Sequence, residues 1–258
     1  MNILIYNFKG GAAKSTTASI LASWLKGAEL IEIDQINKSD SRIDSKQYYL
    51  STQLTFVNET SNSFLEFEDK IIDDSKINII DVGAVMLDRF HTAMVTAGLY
   101  SDIDLIIVPA MDGADDFNVA IKFFENIKNL ISSEKILIGF NRFDPIEYDG
   151  DVAEQFDMFF QNQKVLKKEY EIDLGNENNY FVIKNSKAIK KARAQGITLK
   201  SLVDEDLSVI KKMQREEKDK TKRLEITKKR MLVNNAQNLY KDYISVMLSK
   251  IAKKLEQK

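Results

Sequence analysis

The chain has 258 residues, 44% of them hydrophobic, which is enough to bury the core of one large α/β domain or two small ones. It has no cysteine and one histidine, so disulfides, thiolate metal sites and multi-histidine metal centres are excluded, while phosphate chemistry and oxygen-ligand metals stay open. The net charge of −2 hides an asymmetry that favours a polyanionic partner, because residues 181–258 carry 21 basic and 9 acidic side chains.

Short apolar runs alternate with segments of helical period, which is the pattern of βα units around a mainly parallel sheet. We predict strands at 3–6, 30–33, 77–80, 105–108 and 136–140, and a first helix at 15–26. From about Asp204 onward almost nothing interrupts a helix. The predicted fold is therefore α/β, a mainly parallel twisted sheet flanked by helices, as a single domain over residues 1–258 whose residues 204–258 form a C-terminal helical part.

The N-terminal segment has no signal-peptide pattern, and no uncharged apolar run approaches the roughly 18 residues that span a bilayer. We therefore expect a cytoplasmic protein. One C-terminal segment could still contact a membrane surface, because residues 243–255 place Tyr243, Met247, Leu248 and Ile251 on one face of a helix. Such a stripe is compatible with a membrane-surface helix, but it more often packs into the core, and core packing is our prediction.

The strongest signal follows the first strand and opens the first helix. Small residues in such a loop let successive backbone N–H groups turn toward phosphate oxygens, and the positive end of the helix adds to the attraction. In this pattern Lys14 reaches the β and γ phosphates and the Ser15 hydroxyl is a magnesium ligand. The predicted nucleotide site comprises Lys9, Gly10, Gly11, Ala12, Ala13, Lys14, Ser15 and Thr16.

This loop reads Lys-Gly-Gly-x-x-Lys-Ser and has an additional lysine at position 9, so it resembles the deviant Walker A ATPases of the ParA and MinD family. The resemblance implies that Lys9 crosses a dimer interface and touches the nucleotide of the partner subunit. One departure is Ala13, where the family has glycine. If that position requires a positive φ, the methyl group costs energy and weakens nucleotide affinity.

Two carboxylates follow strands where the family needs them. Asp34, in Glu-Ile-Asp after the second strand, is implied to orient the attacking water, and Asp81, before Gly83, is implied to hold magnesium together with Ser15. The carboxyl ends of strands in an open α/β sheet are where ligand groups lie. The usual Pro-Gln after the first of these aspartates is replaced by Gln-Ile at positions 35 and 36.

Later segments extend the resemblance from Met1 to about Leu199. Asn141 and Arg142 match the family's strand that ends in Asn-Arg, where the asparagine lies against the adenine, so both are predicted nucleotide contacts. The segment from Phe181 to Gly196 matches a further family pattern of spaced alanines and a glycine. The chain starts directly at the first strand, as small partition ATPases without an N-terminal DNA-binding extension do.

The resemblance also implies nonspecific DNA binding by basic residues of the C-terminal region when ATP dimerises the protein. The better candidate stretch contains no acidic residue between its ends; its cations are Lys184, Lys187, Lys190, Lys191, Arg193 and Lys200. The second basic stretch begins at Lys211 and interleaves acidic residues, so it is equally compatible with an ion-paired helix surface.

The sequence therefore predicts a ParA-type partition ATPase with ATP and Mg²⁺ as cofactors. It is expected to form an ATP-dependent homodimer, to bind nonspecific DNA at the nucleoid, and to hydrolyse ATP when a ParB-like centromere-binding adaptor stimulates it. In this mechanism Lys9, Lys14 and Asp34 are the catalytic residues. Two alternatives stay open, namely a MinD-like membrane-associated positioning ATPase and a weakly hydrolysing nucleotide-switch binding module.

Overall fold

A computed structural model describes residues 1–34, 50–55 and 58–256. Seven strands form one sheet in the order β3-β2-β4-β1-β5-β6-β7, and every neighbouring pair is parallel. The strands are β1 (Asn2–Ile5), β2 (Ala28–Ile33), β3 (Leu50–Leu54), β4 (Ile77–Val82), β5 (Leu105–Ala110), β6 (Ile136–Phe143) and β7 (Tyr180–Lys184). The predicted α/β fold with a parallel sheet is confirmed.

Helices cover both faces of this sheet. They are α1 (Lys14–Trp24), α2 (Asn62–Ile72), α3 (Leu87–Thr96), α4 (Ala114–Ile127), α5 (Val152–Gln155), α6 (Asp157–Gln161), α7 (Gln163–Tyr170), α8 (Lys187–Ala194), α9 (Leu199–Val203), α10 (Leu207–Glu216), α11 (Lys220–Leu239) and α12 (Ser245–Glu256). Each of α8, α9, α10 and α11 follows a residue whose side chain accepts a hydrogen bond from a backbone N–H of the first turn. These caps fix where the C-terminal helices begin.

The alternation of side chains along each strand divides the core into two layers. In β1, Leu4 faces the layer that contains α2, α3 and α4, whereas Ile3 and Ile5 face the layer that contains α1 and helices α8 to α12. All three side chains are fully buried. Both faces of the sheet are therefore covered, which is why its central strands read as continuous apolar runs.

The apolar stripe of the last helix belongs to the second layer. Met247 and Ile251 are almost completely buried, and Leu248 and Leu255 pack against the same cluster at its edge. The prediction of core packing is therefore confirmed. Among residues 1–34, 50–55 and 58–256, no helix is both long and apolar enough to cross a membrane.

The edge strand β3 is not among the strands predicted from the sequence. Its residues read Leu-Ser-Thr-Gln-Leu, which is too polar and too short to stand out as a buried strand. Side-chain contacts add to the backbone hydrogen bonds of β3. The Thr52 hydroxyl donates to the carboxylate of Glu29 in β2 at 2.5 Å, and the same carboxylate pairs with Lys70 of α2 at 2.7 Å. These polar contacts help to stabilise β3, and the apolar periodicity of the sequence does not show them.

Candidate functional site

A cavity of about 340 Å³ opens at the carboxyl ends of the strands. It lies where the chain order reverses around β1, since β4 and β5 flank that strand on its two sides. Its lining includes Gly10, Gly11, Ala13, Lys14, Ser15, Thr16, Asp34, Gly83, Asn141, Arg142, Lys184, Lys190 and Arg193. The structure thus brings the predicted phosphate loop together with Asp34, the end of β6 and helix α8.

The loop has the backbone conformation that its small residues allow. Gly11 has φ +82° and Ala13, which directly precedes α1, has φ +66° and ψ +22°. Ala13 therefore occupies the left-handed region, where a Cβ costs about 1–2 kcal/mol. The position does require a positive φ, so the family's glycine has a physical reason and the alanine here is strained.

The buried side chain of Asn7 anchors the loop to the neighbouring strand. Its amide oxygen accepts a hydrogen bond from the Lys9 backbone N–H at 2.8 Å, and its amide nitrogen donates to the carbonyl of Pro109 in β5 at 2.5 Å. Asn7 is fully buried, so both bonds are shielded from water. This residue was not singled out in the sequence, because its partners lie outside the motif.

Lys14 lies inside the loop. Its ammonium donates to the backbone carbonyls of Asn7 and Lys9, both at 2.9 Å, and the residue is only 7% exposed. Burial lowers the pKa of Lys14, and the carboxylates of Asp81 and Asp34 oppose that shift. The ammonium is therefore held by two backbone carbonyls and is largely shielded from solvent, so its charge acts strongly on an anionic ligand.

Asp34 and Gly83 lie against each other, although they follow different strands. A Cβ built on Gly83 would come within 2.6 Å of both the Cγ and Oδ2 atoms of Asp34. The backbone N–H of Gly83 also donates to the carbonyl of Ile33 at 2.9 Å. Only glycine allows this approach, so the two segments implied to respond to the γ phosphate are in direct contact. The departure at positions 35 and 36 lies outside the described residues.

The predicted magnesium ligands provide the oxygen donors that this ion prefers. Ser15 follows Lys14 at the start of α1 and lines the cavity, and Asp81 is 5% exposed near the end of β4. Among the described residues, no group of three or more Asp, Glu, His or Cys side chains could enclose a metal ion by itself. In type, these two oxygen donors suit a magnesium ion that takes its other ligands from phosphate and water, although Asp81, unlike Ser15, is not part of the cavity lining.

Lys9 forms an ion pair within its own chain. Its ammonium donates to Oδ2 of Asp116 in the first turn of α4, and the second oxygen of Asp116 accepts from the Met111 N–H at 3.1 Å. Asp116 is 1% exposed, whereas the Lys9 side chain is 36% exposed. The hydrogen bond to Asp116 raises the pKa of Lys9. Lys9 is thus held at the rim of the loop by a carboxylate that no sequence motif marks.

A bulge at the end of β6 shapes the other side of the cavity. Asn141 pairs with Ile183 and Phe143 with Lys184, so Arg142 is an extra residue between them, with φ +60°. A bulge of this kind re-aims the side chain that it carries. Arg142 is exposed and lines the cavity, and the buried Asn141 donates to the carbonyl of Gly139 at 2.9 Å. Both predicted nucleotide contacts therefore line the cavity.

Part of the stretch predicted to bind DNA lies at the cavity. Lys184, Lys190 and Arg193 line it. Lys187 and Lys191 are exposed elsewhere on α8. Lys200 is ion-paired with Asp204 at 2.7 Å. The rotation of α8 decides which of these cations face the cavity, and the absence of acidic residues along the sequence does not reveal that rotation.

No protein-family model matches the chain, and no curated protein matches it. Solved structures do resemble it. A plasmid partition protein from Borrelia burgdorferi shares 17% identity and covers 76% of this chain and 95% of its own, with a TM-score of 0.46. The ATP complex of a McdA variant from Cyanothece shares 13% identity over 78% of this chain and 89% of its own, with a TM-score of 0.45.

The pNOB8 ParA bound to nonspecific DNA shares 14% identity and covers 99% of this chain and 98% of its own, with a TM-score of 0.46. These neighbours include proteins of the kind that the sequence resembles. Because the identities and TM-scores are low, we base the function on the residues of the site.

Proposed function

We propose that the chain is an ATPase that dimerises around bound ATP and binds DNA without sequence preference in that state. The observation that supports this most is the position of Lys14, buried in a loop of small residues that shares its cavity with Asp34. A cation in such a loop neutralises transferring phosphate, and carboxylates beside it suit magnesium and water.

The residues of the site divide the work of hydrolysis. Lys14 and the backbone N–H groups of residues 10–16 bind the β and γ phosphates and stabilise the charge that develops on them. Asp34 orients the attacking water, and its contact with Gly83 fixes the carboxylate next to the γ phosphate. Asn141 and Arg142 bind the adenine end of the nucleotide. A magnesium ion held by Ser15 and Asp81 supplies charge neutralisation at the phosphate oxygens.

Lys9 acts across the dimer in this proposal. To reach the nucleotide of the partner subunit, its ammonium must leave Asp116, which then stays buried with only the Met111 N–H as a described hydrogen-bond donor. Leaving a buried carboxylate without its cation is costly, so the exchange has to be offset by the negative charge of ATP. Dimerisation is thereby coupled to the presence of a triphosphate.

The DNA-binding surface consists of exposed cations of the C-terminal helices. The helical hairpin of α10 and α11, residues 207–239, carries ten Lys and Arg and four Asp and Glu between Lys211 and Arg230, and Lys187 and Lys191 on α8 add two further cations. Contacts of this type are electrostatic and fall steeply with salt. Hydrolysis stimulated by a ParB-like adaptor would release the DNA and move the bound plasmid or chromosome.

A gel-shift experiment tests the proposal. We expect nonspecific duplex DNA to be retarded with ATP but not with ADP or without nucleotide, and the shift to weaken between about 50 and 200 mM salt. Turnover of ATP should rise on adding DNA and an adaptor. Equal retardation in all three nucleotide states would leave a basic protein with a phosphate loop and would contradict the proposal.

The alternatives have distinct outcomes in the same samples. ATP-dependent retardation without measurable turnover would favour a nucleotide-switch module, for which the strained Ala13 is the supporting observation. ATP-dependent sedimentation with liposomes would favour a membrane-associated ATPase. The burial of Met247 and Ile251 in α12 argues against that outcome.

A further inference from the structure

Helix α8 is fixed in rotation by two small residues. Ala188 and Ala192, four residues apart, are buried against the core cluster that contains α1 and α11. Residues three or four apart lie on one face of a helix, so this pair defines the inward face of α8. The remaining residues can therefore be assigned to a side of the helix by their positions relative to the two alanines.

The cations of α8 fall on two different sides. Lys190 and Arg193, three residues apart, line the nucleotide cavity together with the loop that joins β7 to α8. Lys187 and Lys191, four residues apart, do not belong to the cavity lining and are exposed. All four side chains are exposed, so one short helix places one pair of cations at the open cavity and another pair away from it.

The cavity carries more positive charge than the phosphate loop alone provides. Its lining has five cationic side chains, namely Lys14, Arg142, Lys184, Lys190 and Arg193, against the single acidic side chain of Asp34. Neither Lys190 nor Arg193 forms an ion pair with any carboxylate of the described residues. Cations with no anionic partner, gathered at a cavity, favour an anionic ligand there.

The size and lining of the cavity indicate which class of anion it could bind. A volume of about 340 Å³ is at the small end of sites for single small molecules. The same cavity contains the phosphate loop, so a nucleotide bound to that loop lies within reach of the walls that α8 provides. Lys190 and Arg193 therefore lie in the same cavity as the loop that would hold the phosphates.

We infer that Lys190 and Arg193 bind the phosphates of the nucleotide held by the same subunit, as a second cationic wall in addition to the phosphate loop. This inference rests on the proposed function and assigns two residues to nucleotide recognition that the sequence placed at a DNA surface. It also makes α8 the element that senses a triphosphate, since one face contacts it and another carries solvent-exposed cations.

Isothermal titration with Mg-ATP, Mg-ADP and adenosine tests the inference on the full chain. For Lys190→Ala/Arg193→Ala we expect the Kd for ATP to rise about tenfold or more, the Kd for ADP to rise less, and the Kd for adenosine to stay within about twofold. The conservative variant Lys190→Arg/Arg193→Lys should recover most of the ATP affinity. Lys164→Ala/Lys168→Ala on α7, with the same loss of charge and both side chains exposed, is the matched control.

Four results would overturn the inference. An unchanged Kd for ATP together with lost DNA retardation would make Lys190 and Arg193 DNA ligands, and an equal loss for adenosine would make them contacts of the base. If the wild-type protein and the double variant bind ATP with the same Kd, only this inference is contradicted. Folded wild-type protein that binds no ATP would overturn the proposed function as well.

Discussion

The nucleotide cavity and the α10–α11 hairpin are both rich in cations, but they hold them differently. In the cavity, Lys14 has two carbonyl partners and Asp34 lies directly on Gly83. In the hairpin, the ion pairs among described residues are Lys212 with Glu216 at 4.0 Å and Lys229 with Glu205 at 2.8 Å. Most hairpin cations are exposed, so this region acts through summed charge and the cavity through individual contacts.

Acids interleaved along a sequence therefore do not imply ion pairs in space. The stretch without acids, from Lys184 to Lys200, looked like the freer polyanion surface, yet part of it lines the cavity and Lys200 is paired. The hairpin was equally compatible with an ion-paired surface, yet it leaves most of its charge to solvent. Changing one of the two regions at a time shows whether the other responds.

The largest effect is expected from Lys14→Ala. Removing the ammonium that the loop encloses should abolish measurable ATP binding, which corresponds to a loss of more than about 100-fold or 2.7 kcal/mol. ATP-dependent DNA retardation should vanish, while any nucleotide-independent retardation by the hairpin should persist. Titration calorimetry and gel shifts with and without ATP measure the two parts. Loss of both together would show that the regions are not separable.

The next largest effect, on ATP turnover, is expected from Gly83→Ala. The added methyl group would lie 2.6 Å from Asp34, so the carboxylate must move away from the position in which it orients water. Turnover of ATP should fall at least about tenfold, since misplacing a catalytic group by an ångström costs that much or more.

The double variant with Asp34→Ala provides the control for this contact. If the clash with Asp34 is the cause, Gly83→Ala should destabilise the wild-type background but have almost no further effect on thermal stability once Asp34 is alanine. An equal loss of stability in both backgrounds would show that the methyl group disturbs something other than the carboxylate.

The hairpin should respond in a graded manner. Lys211→Gln/Lys220→Gln removes two exposed cations, so DNA binding should weaken and the slope of log affinity against log salt should fall by up to about 2. Lys164→Gln/Lys168→Gln on α7 removes the same charge from exposed positions of another helix. If both variants lose affinity equally, net charge and not the hairpin determines binding.

Much of the site was predictable because its signals are local. The residues from Lys9 to Thr16 form one loop, and the parallel sheet necessarily brings the end of β2, with Asp34, to the same edge. The ion pair of Lys9 with Asp116 was not predictable, because 107 residues separate the partners and no motif marks the acid. The rotation of α8 depends on packing of Ala188 and Ala192, which the sequence cannot specify by charge.

The smallest expected effect concerns the strain at Ala13. Because this residue has φ +66°, Ala13→Gly should relieve left-handed strain, offset in part by the greater freedom of glycine in the unfolded chain. We expect a gain of about 1 kcal/mol and a rise in Tm of about 2–4 °C without nucleotide. ATP should also bind more tightly, since the loop no longer opposes the conformation that the phosphates require.

Ala12→Gly is the matched control, because Ala12 has no positive φ and is 1% exposed. There the extra freedom of glycine brings no relief, so stability should fall by about 0.5–1 kcal/mol. Opposite signs at two adjacent alanines would assign the effect to backbone conformation and not to a softer loop. A loss of stability in both variants would mean that the loop tolerates the methyl group of Ala13 without cost. Single contacts would then stabilise the loop less than its contrast with the hairpin leads us to expect.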